Sequence, residues 1–247
     1  MLTSSLGSVL LAALLHGASV STGVRDLLLG DDALDRVAHA FVDDASPLAQ
    51  GLQSRARAVA DTPALAEEAL DLWIPLADAV GLRSEQLLLE DASFRTLHPE
   101  AYASLSAHDR PLDASLDALA AELGGMLGDL ELEARTQGRI KSLYSTWRKM
   151  ERKGISYDAV HDRMALRVIT STEEEARQAL AALHARYEPV DGAFDDYIAA
   201  PKGNGYRSLH TAVRTPWGVA EYQLRTEVMH ADAESGDQAH WKYKRAV

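Results

Sequence analysis

The sequence predicts an α+β chain, an all-helical N-terminal region followed by a mixed β-sheet flanked by helices. Three observations carry this prediction. Residues 1–134 are rich in Ala and Leu at helical spacing, residues 162–169 form a short apolar run of strand length, and residues 195–225 read as strand, glycine-rich loop, strand, turn at 216–218, and strand.

Composition sets the outer limits. The 247 residues are 47% hydrophobic and 25% charged, enough to bury a sizeable core in one or two domains. Cysteine is absent, so disulfides and thiolate metal sites are excluded and a reducing cytoplasm is expected. The net charge of −12 argues against a protein that coats duplex DNA. That total is uneven: residues 1–134 hold 7 Arg, no Lys and 22 acids, a balance of −15, whereas residues 135–247 hold 18 basic and 15 acidic residues, a balance of +3. Polyphosphate chemistry, if present, therefore belongs in the second half. The apolar run 9–15 has no basic flank and is too short to span a bilayer, so it reads as buried helix and no membrane partner is expected.

In chain order, helix breaks are expected at Gly30-Asp31-Asp32, Ser46-Pro47, Thr62-Pro63 and His98-Pro99. A helix over 112–133 follows, weakened by Gly124, Gly125 and Gly128, and the boundary between halves is set at 105/106. Residues 135–153 hold seven basic residues and one acid and read as one helix stopped by Gly154. On that helix Lys141, Ser145 and Lys149 share a stripe with Arg139 at the entrance, and Leu143, Trp147 and Met150 form the buried side. Asp162 leads a buried strand, and 172–187 reads as a helix with Thr172 as N-cap before three glutamates. In the last strand Glu221, Gln223 and Arg225 share one face and Ala220, Tyr222 and Leu224 the other. The loop 201–206 combines a proline, two glycines, Lys202, Asn204 and Tyr206, a set suited to holding a phosphate and stacking a base, though Asn-Gly is also an ordinary turn signal.

The string Y-I-A-A-P-K-G-N-G-Y-R-S-L-H-T, followed by E-Y-Q-L-R-T-E-V-M-H-A-D-A-E-S-G and A-H-W-K-Y-K, resembles the synthetase domain of the RelA/SpoT homologues, which make guanosine alarmones. G-R-I-K-S-L-Y-S-T-W-R-K-M is similar to the nucleotide-binding segment of that family. The resemblance implies a nucleotidyltransferase-like sheet for residues 106–247. Upstream, A-A-L-L-H ending at His16 is similar to the family's hydrolase motif but is followed by Gly17 where that motif has an aspartate. Residues 1–105 thus resemble a shortened, degenerate hydrolase domain, with hydrolysis lost.

By this resemblance the chain would transfer pyrophosphate from ATP to the 3′-hydroxyl of GDP or GTP, with Mg²⁺ as cofactor. Arg139, Lys141, Ser145, Lys149 and Arg167 would contact ATP; Lys202, Asn204, Tyr206, His210, Gln223 and Arg225 would contact GDP or GTP. Asp162 and Glu221 would hold the metal, Glu221 serving as base or metal ligand, and the acidic pair Asp195 and Asp196 is a candidate for a second ion. Asp162, Glu221, Arg139 and Lys141 form the catalytic set. The alternatives are pyrophosphorylation of an adenosine nucleotide or of RNA ends, and a catalytically inactive nucleotide-binding regulatory module. Self-association is left open, and no ribosome-binding domain is expected within this stretch.

Overall fold

The computed structural model describes residues 2–16, 18–29, 33–41, 43–109 and 112–235. The expected break at 30–32 and the A-H-W-K-Y-K motif fall outside these residues. The chain divides into two compact units, residues 1–108 with 142–147, and residues 109–141 with 148–247.

The first unit is helical, as its Ala and Leu spacing predicts. Its helices are α1 (Leu2–Leu15), α2 (Thr22–Leu29), α3 (Ala33–Ala38), α4 (Ser46–Val59), α5 (Pro63–Glu68), α6 (Ile74–Val80), α7 (Arg83–Leu97) and α8 (Pro99–His108). Prolines sit in the first turns of α4 and α5, where a missing N–H costs nothing. Leu10, Leu14, Leu48, Leu52, Leu72, Trp73, Leu76 and Leu89 fill the core. Within the apolar run 9–15 this helix buries Leu10 and Leu14 and exposes Val9 and Leu15.

Two polar devices are buried here. Glu68 accepts hydrogen bonds from Trp73 Nε1 at 2.7 Å and Val20 N at 2.9 Å, and pairs with the buried Arg55 at 3.7 Å. Glu90 accepts from Gln86 at 3.2 Å, from Ser145 at 3.3 Å, and from the Ser142 hydroxyl.

The second unit begins with α9 (Asp113–Asp129) and continues through β1 (Arg135–Ile140), the part of α10 (Leu143–Lys153) from residue 148 on, β2 (Met164–Thr170), α11 (Glu173–Arg186), β3 (Glu188–Pro189), β4 (Asp195–Asp196), β5 (Leu209–Thr215), β6 (Gly218–Thr226) and α12 (Glu227–Ser235). The sheet order is β1-β2-β6-β5-β3, with β4 also on β5; β2 and β6 run parallel and the other pairs antiparallel. This is the mixed, helix-flanked sheet expected, and the α+β class holds. Leu119, Leu123 and Leu127 of α9 and Ala176, Ala179 and Leu183 of α11 pack on Leu166, Val168, Tyr222 and Leu224 of one sheet face. Spaced every fourth residue, the three leucines keep α9 continuous through Gly124, Gly125 and Gly128.

Residues 135–153 are the main departure from the sequence reading. They form a strand and then a helix rather than one helix, so Arg139 lies on β1 and Lys141 on the connection, and the stripe Lys141-Ser145-Lys149 does not exist. Pairing with β2 satisfies the backbone of R-T-Q-G-R-I, a segment whose Thr and Ile favour extension and whose Gly disfavours helix. Gly138 also lets β1 lie close to α9, since a Cβ there would stand 2.9 Å from Leu116 Cδ2. In α10 the fully buried residue is Thr146, while Leu143, Trp147 and Met150 are half-buried, Trp147 stacking on Phe94.

Helix α11 starts as expected: Thr172 and Glu175 form a reciprocal capping box. The turn at 216–218 joins β5 to β6, with Thr215 paired to Gly218.

Candidate active site

Alternation along the strands gives the sheet a second, polar face. Register then lines its residues into rows. One row crosses five strands as Gln137, Arg167, Gln223, His210 and Asp195; the next is Arg139, Ala165, Glu221 and Ala212; a third is Arg135, Ile169 and Arg225. Ala165 and Ala212 flank Glu221, leaving open space over its carboxylate. A cavity of about 300 Å³ is lined there by Lys149, Lys153, His161, Asp195, His210, Ala212 and Glu221, among others.

Asp162 stands in the turn before β2, beside the strand that carries Glu221. Lys141 donates to its Oδ2 at 3.2 Å and Lys149 to its Oδ1 at 2.8 Å. Burial pushes the Asp162 carboxyl up, but the two lysines outweigh it and hold it below the usual range. Burial lowers Lys141, against the attraction of Asp162, and the neighbouring Arg139 and Lys149 lower it further. Arg163 sets this geometry: its guanidinium binds the Lys141 carbonyl and Asp109, while its own carbonyl accepts from the Lys141 N–H at 2.9 Å. Sequence reasoning passed over Arg163, and no local pattern marks it.

Glu221 is pushed above the ordinary glutamate range by burial, and Asp162 nearby adds to the rise while the Gln223 bond opposes it. That bond, Gln223 Nε2 to Glu221 Oε1, measures 2.6 Å. Two half-buried carboxylates close enough to repel, with lysine ammonium groups as the local positive charge, are an oxygen donor set that fits a hard divalent cation completed by phosphate oxygens. The second acidic pair divides. Asp195 lines the cavity, whereas Asp196 is spent on Arg177 at 2.9 Å and on the N–H groups of Ile198 and Ala199, which does not favour a metal role for it.

The glycine-rich loop closes on itself: Asn204 Oδ1 accepts from Tyr206 N at 3.1 Å, and Gly205 takes φ +79°. Lys202 Nζ lies 4.2 Å from the Tyr197 ring centroid and 5.2 Å from that of Tyr206. Tyr206 Oη meets His210 Nε2 at 2.9 Å. Burial, followed by the charge of Lys202, drops His210 to about 4, so the ring is neutral at pH 7. His210 Nδ1 lies 3.8 Å from Glu221.

Of the residues named from sequence, the structure gathers Lys141, Lys149, Asp162, Glu221, Gln223, His210, Tyr206 and Lys202 around the cavity and its loop. Arg139, Arg167 and Arg225 lie further across the same face. Ser145 belongs to the helical unit, its hydroxyl hydrogen-bonded to Glu90. Among the described residues no helix is long and apolar enough to cross a membrane.

Residues 138–247 match the family described as a region found in RelA / SpoT proteins. The chain is 34% identical over 256 residues to the GTP pyrophosphokinase of Escherichia coli strain K12, a match covering 95% of this chain and 34% of that protein. It is 39% identical over 178 residues to the GTP pyrophosphokinase of Haemophilus influenzae, covering 70% of this chain and 24% of that one. Among solved structures, the small alarmone synthetase 1 of Bacillus subtilis bound to its product pppGpp has a TM-score of 0.46 at 27% identity, over 53% of this chain and 78% of that one. The chain thus spans about a third of the length of the Escherichia coli relative. Residues 138–247 thus carry the region found in RelA / SpoT proteins, which makes this part of the chain a RelA/SpoT family domain.

Proposed function

We propose that this chain is a guanosine alarmone synthetase that transfers the β,γ-pyrophosphoryl group of ATP to the 3′-hydroxyl of GDP or GTP. The observation that carries the reading is Glu221 on the polar sheet face with Asp162 in the turn beside it, held by Lys141 and Lys149, and a loop with an aromatic shelf. The relatives named above bear the name GTP pyrophosphokinase, which agrees with it.

The acceptor oxygen forms a bond to the β-phosphorus as the bond from that phosphorus to the α-bridging oxygen breaks, and AMP leaves. Glu221, with its raised affinity for a proton, takes the hydroxyl proton. Lys141 and Lys149, already aligned on Asp162, balance charge developing on the transferred group, and Arg139 and Arg167 bind the donor. Tyr206 stacks on guanine. Asn204, whose Oδ1 is used inside the loop, keeps its amide N–H groups to read the base. Lys202 meets the acceptor phosphates, and His210, being neutral, contributes a hydrogen bond rather than charge. Mg²⁺ held by Asp162 and Glu221 would supply charge neutralisation between the two polyphosphates.

In the same proposal residues 1–105 are a hydrolase-like helical domain without hydrolysis, because Gly17 follows His16 where an acid is required. The setting is cytoplasmic.

Incubation with ATP, Mg²⁺ and GDP, GTP or ADP, followed by separation of the nucleotides, tests the reading. A 3′-pyrophosphorylated guanosine nucleotide plus AMP is expected, and Glu221→Gln should bind both nucleotides without forming product. Product from ADP alone, or none from any acceptor, would overturn it.

A further inference from the structure

Lys141 is carried by a short connection, between the end of β1 at Ile140 and the start of α10 at Leu143. A connection has no regular hydrogen-bond ladder to fix its side chains, yet Lys141 Nζ meets Asp162 Oδ2 at 3.2 Å. One residue fixes its main chain from both sides. The Lys141 N–H donates to the Arg163 carbonyl at 2.9 Å, and Arg163 Nη1 donates back to the Lys141 carbonyl. Arg163 follows Asp162 directly, so the backbone that carries the acid is tied to the backbone that carries the lysine.

The guanidinium is itself seated, its side chain only 8% exposed. Its Nη2 pairs with Asp109, its Nε donates to the Tyr157 hydroxyl at 3.3 Å, and that hydroxyl donates to the same Asp109 oxygen at 2.9 Å. Each nitrogen of the fork thus serves a different group. An ion pair that only held Asp109 in place would leave Nη1 unused, whereas here it is aimed at the main chain of Lys141. A lysine at this position keeps the charge but lacks the fixed directions of the fork.

We propose that Arg163 is a positioning residue for the transfer: seated on Asp109 and Tyr157, it holds the main chain of Lys141 so that the ammonium stays aligned with Asp162. This rests on the synthetase reading above and extends it to a residue that touches no nucleotide in that reading. Replacing the Arg163 side chain leaves the main-chain bond between residues 141 and 163 available, along with the pairing of β1 with β2, so Lys141 is loosened and not lost.

The full chain is assayed with ATP, Mg²⁺ and GDP as wild type, Arg163→Gln, Arg163→Lys, Lys141→Met, and Arg163→Gln combined with Lys141→Met. Arg163→Gln should lower kcat about thirtyfold with KM for both nucleotides within about threefold of wild type, the pattern of a displaced group and not of a lost binding contact. In the Lys141→Met background the same change should slow single turnover by less than about threefold, because Arg163 acts through Lys141. Arg163→Lys retains a charge opposite Asp109, so it should keep the urea midpoint near wild type while kcat stays low. Amide hydrogen exchange gives a readout that needs no turnover: at Lys141 it should quicken about tenfold in both Arg163 variants, with Leu166 and Val168 of β2 unchanged. Rate losses that add in the double variant, a wild-type kcat in both Arg163 variants, or exchange that quickens equally along β2 would reduce Arg163 to a structural ion pair and overturn the proposal. Such failures with an active wild type sink this proposal alone, whereas absence of product from the wild type sinks the synthetase reading and the positioning role together.

Discussion

Lys149 Nζ stands 2.8 Å from Asp162 Oδ1. The cation assigned to donor phosphate and the carboxylate assigned to metal are thus aligned by each other. Because Lys141 also holds Asp162, replacing Lys149 with Met leaves that carboxylate paired and the fold intact. The rate of product formation in Lys149→Met should fall about a hundredfold, the scale of losing one preorganised charge at a transferring group. Single-turnover rates at saturating nucleotide check this, and a loss confined to KM would contradict the role.

Tyr206 is positioned by its bond to His210 and by the closed loop before it. Tyr206→Phe keeps the ring, so guanosine nucleotide binding should change little. Tyr206→Ala should raise KM for the acceptor about tenfold, in line with the loss of one stacked base, with KM for ATP unchanged. Equal effects on both nucleotides would remove the ring from the acceptor side.

His210 titrates near 4 in the folded chain against an ordinary 6.5. As pH falls below about 6.5 the unfolded chain gains a proton that the folded chain refuses, so stability drops until pH passes the folded value. The full loss is about 3 kcal/mol. His184 and His230, also lowered chiefly by burial, push the same way, while Glu221, being raised, opposes them. The contribution is read as a difference: His210→Gln should flatten the fall in urea midpoint between pH 7 and 4.5, and parallel pH profiles for the two proteins would refute it.

In the helical unit, Glu68 is the counter-ion of Arg55, which is fully buried. Glu68→Leu strands that charge and should cost about 3–5 kcal/mol, whereas replacing both partners with apolar residues should recover most of it. Denaturant titration of the single and double variants decides.

Much of this architecture was legible before any coordinates. Alternation in 218–226 identified both faces of the strand, and the Thr172 to Glu175 spacing announced a capped helix, because both depend on near neighbours alone. The segment 135–153 failed for the opposite reason. Its strand exists because β2 offers an edge, a partner far along the chain, so local charge spacing pointed to one helix where two elements stand. Arg163 escaped notice because its work, binding Asp109 and the Lys141 carbonyl, joins segments 54 and 22 residues away.

The parity of β2 and β6 separates two kinds of change. Odd-numbered positions carry chemistry and even-numbered ones the foundation, so exchanging Gln223 can respecify what is bound without disturbing what the helices rest on. Deleting one residue ahead of Glu221 would do both at once, turning Tyr222 and Leu224 to water and driving charges into the apolar layer. Divergence within such a scaffold should therefore proceed by substitution along the strands and keep insertions to the turns.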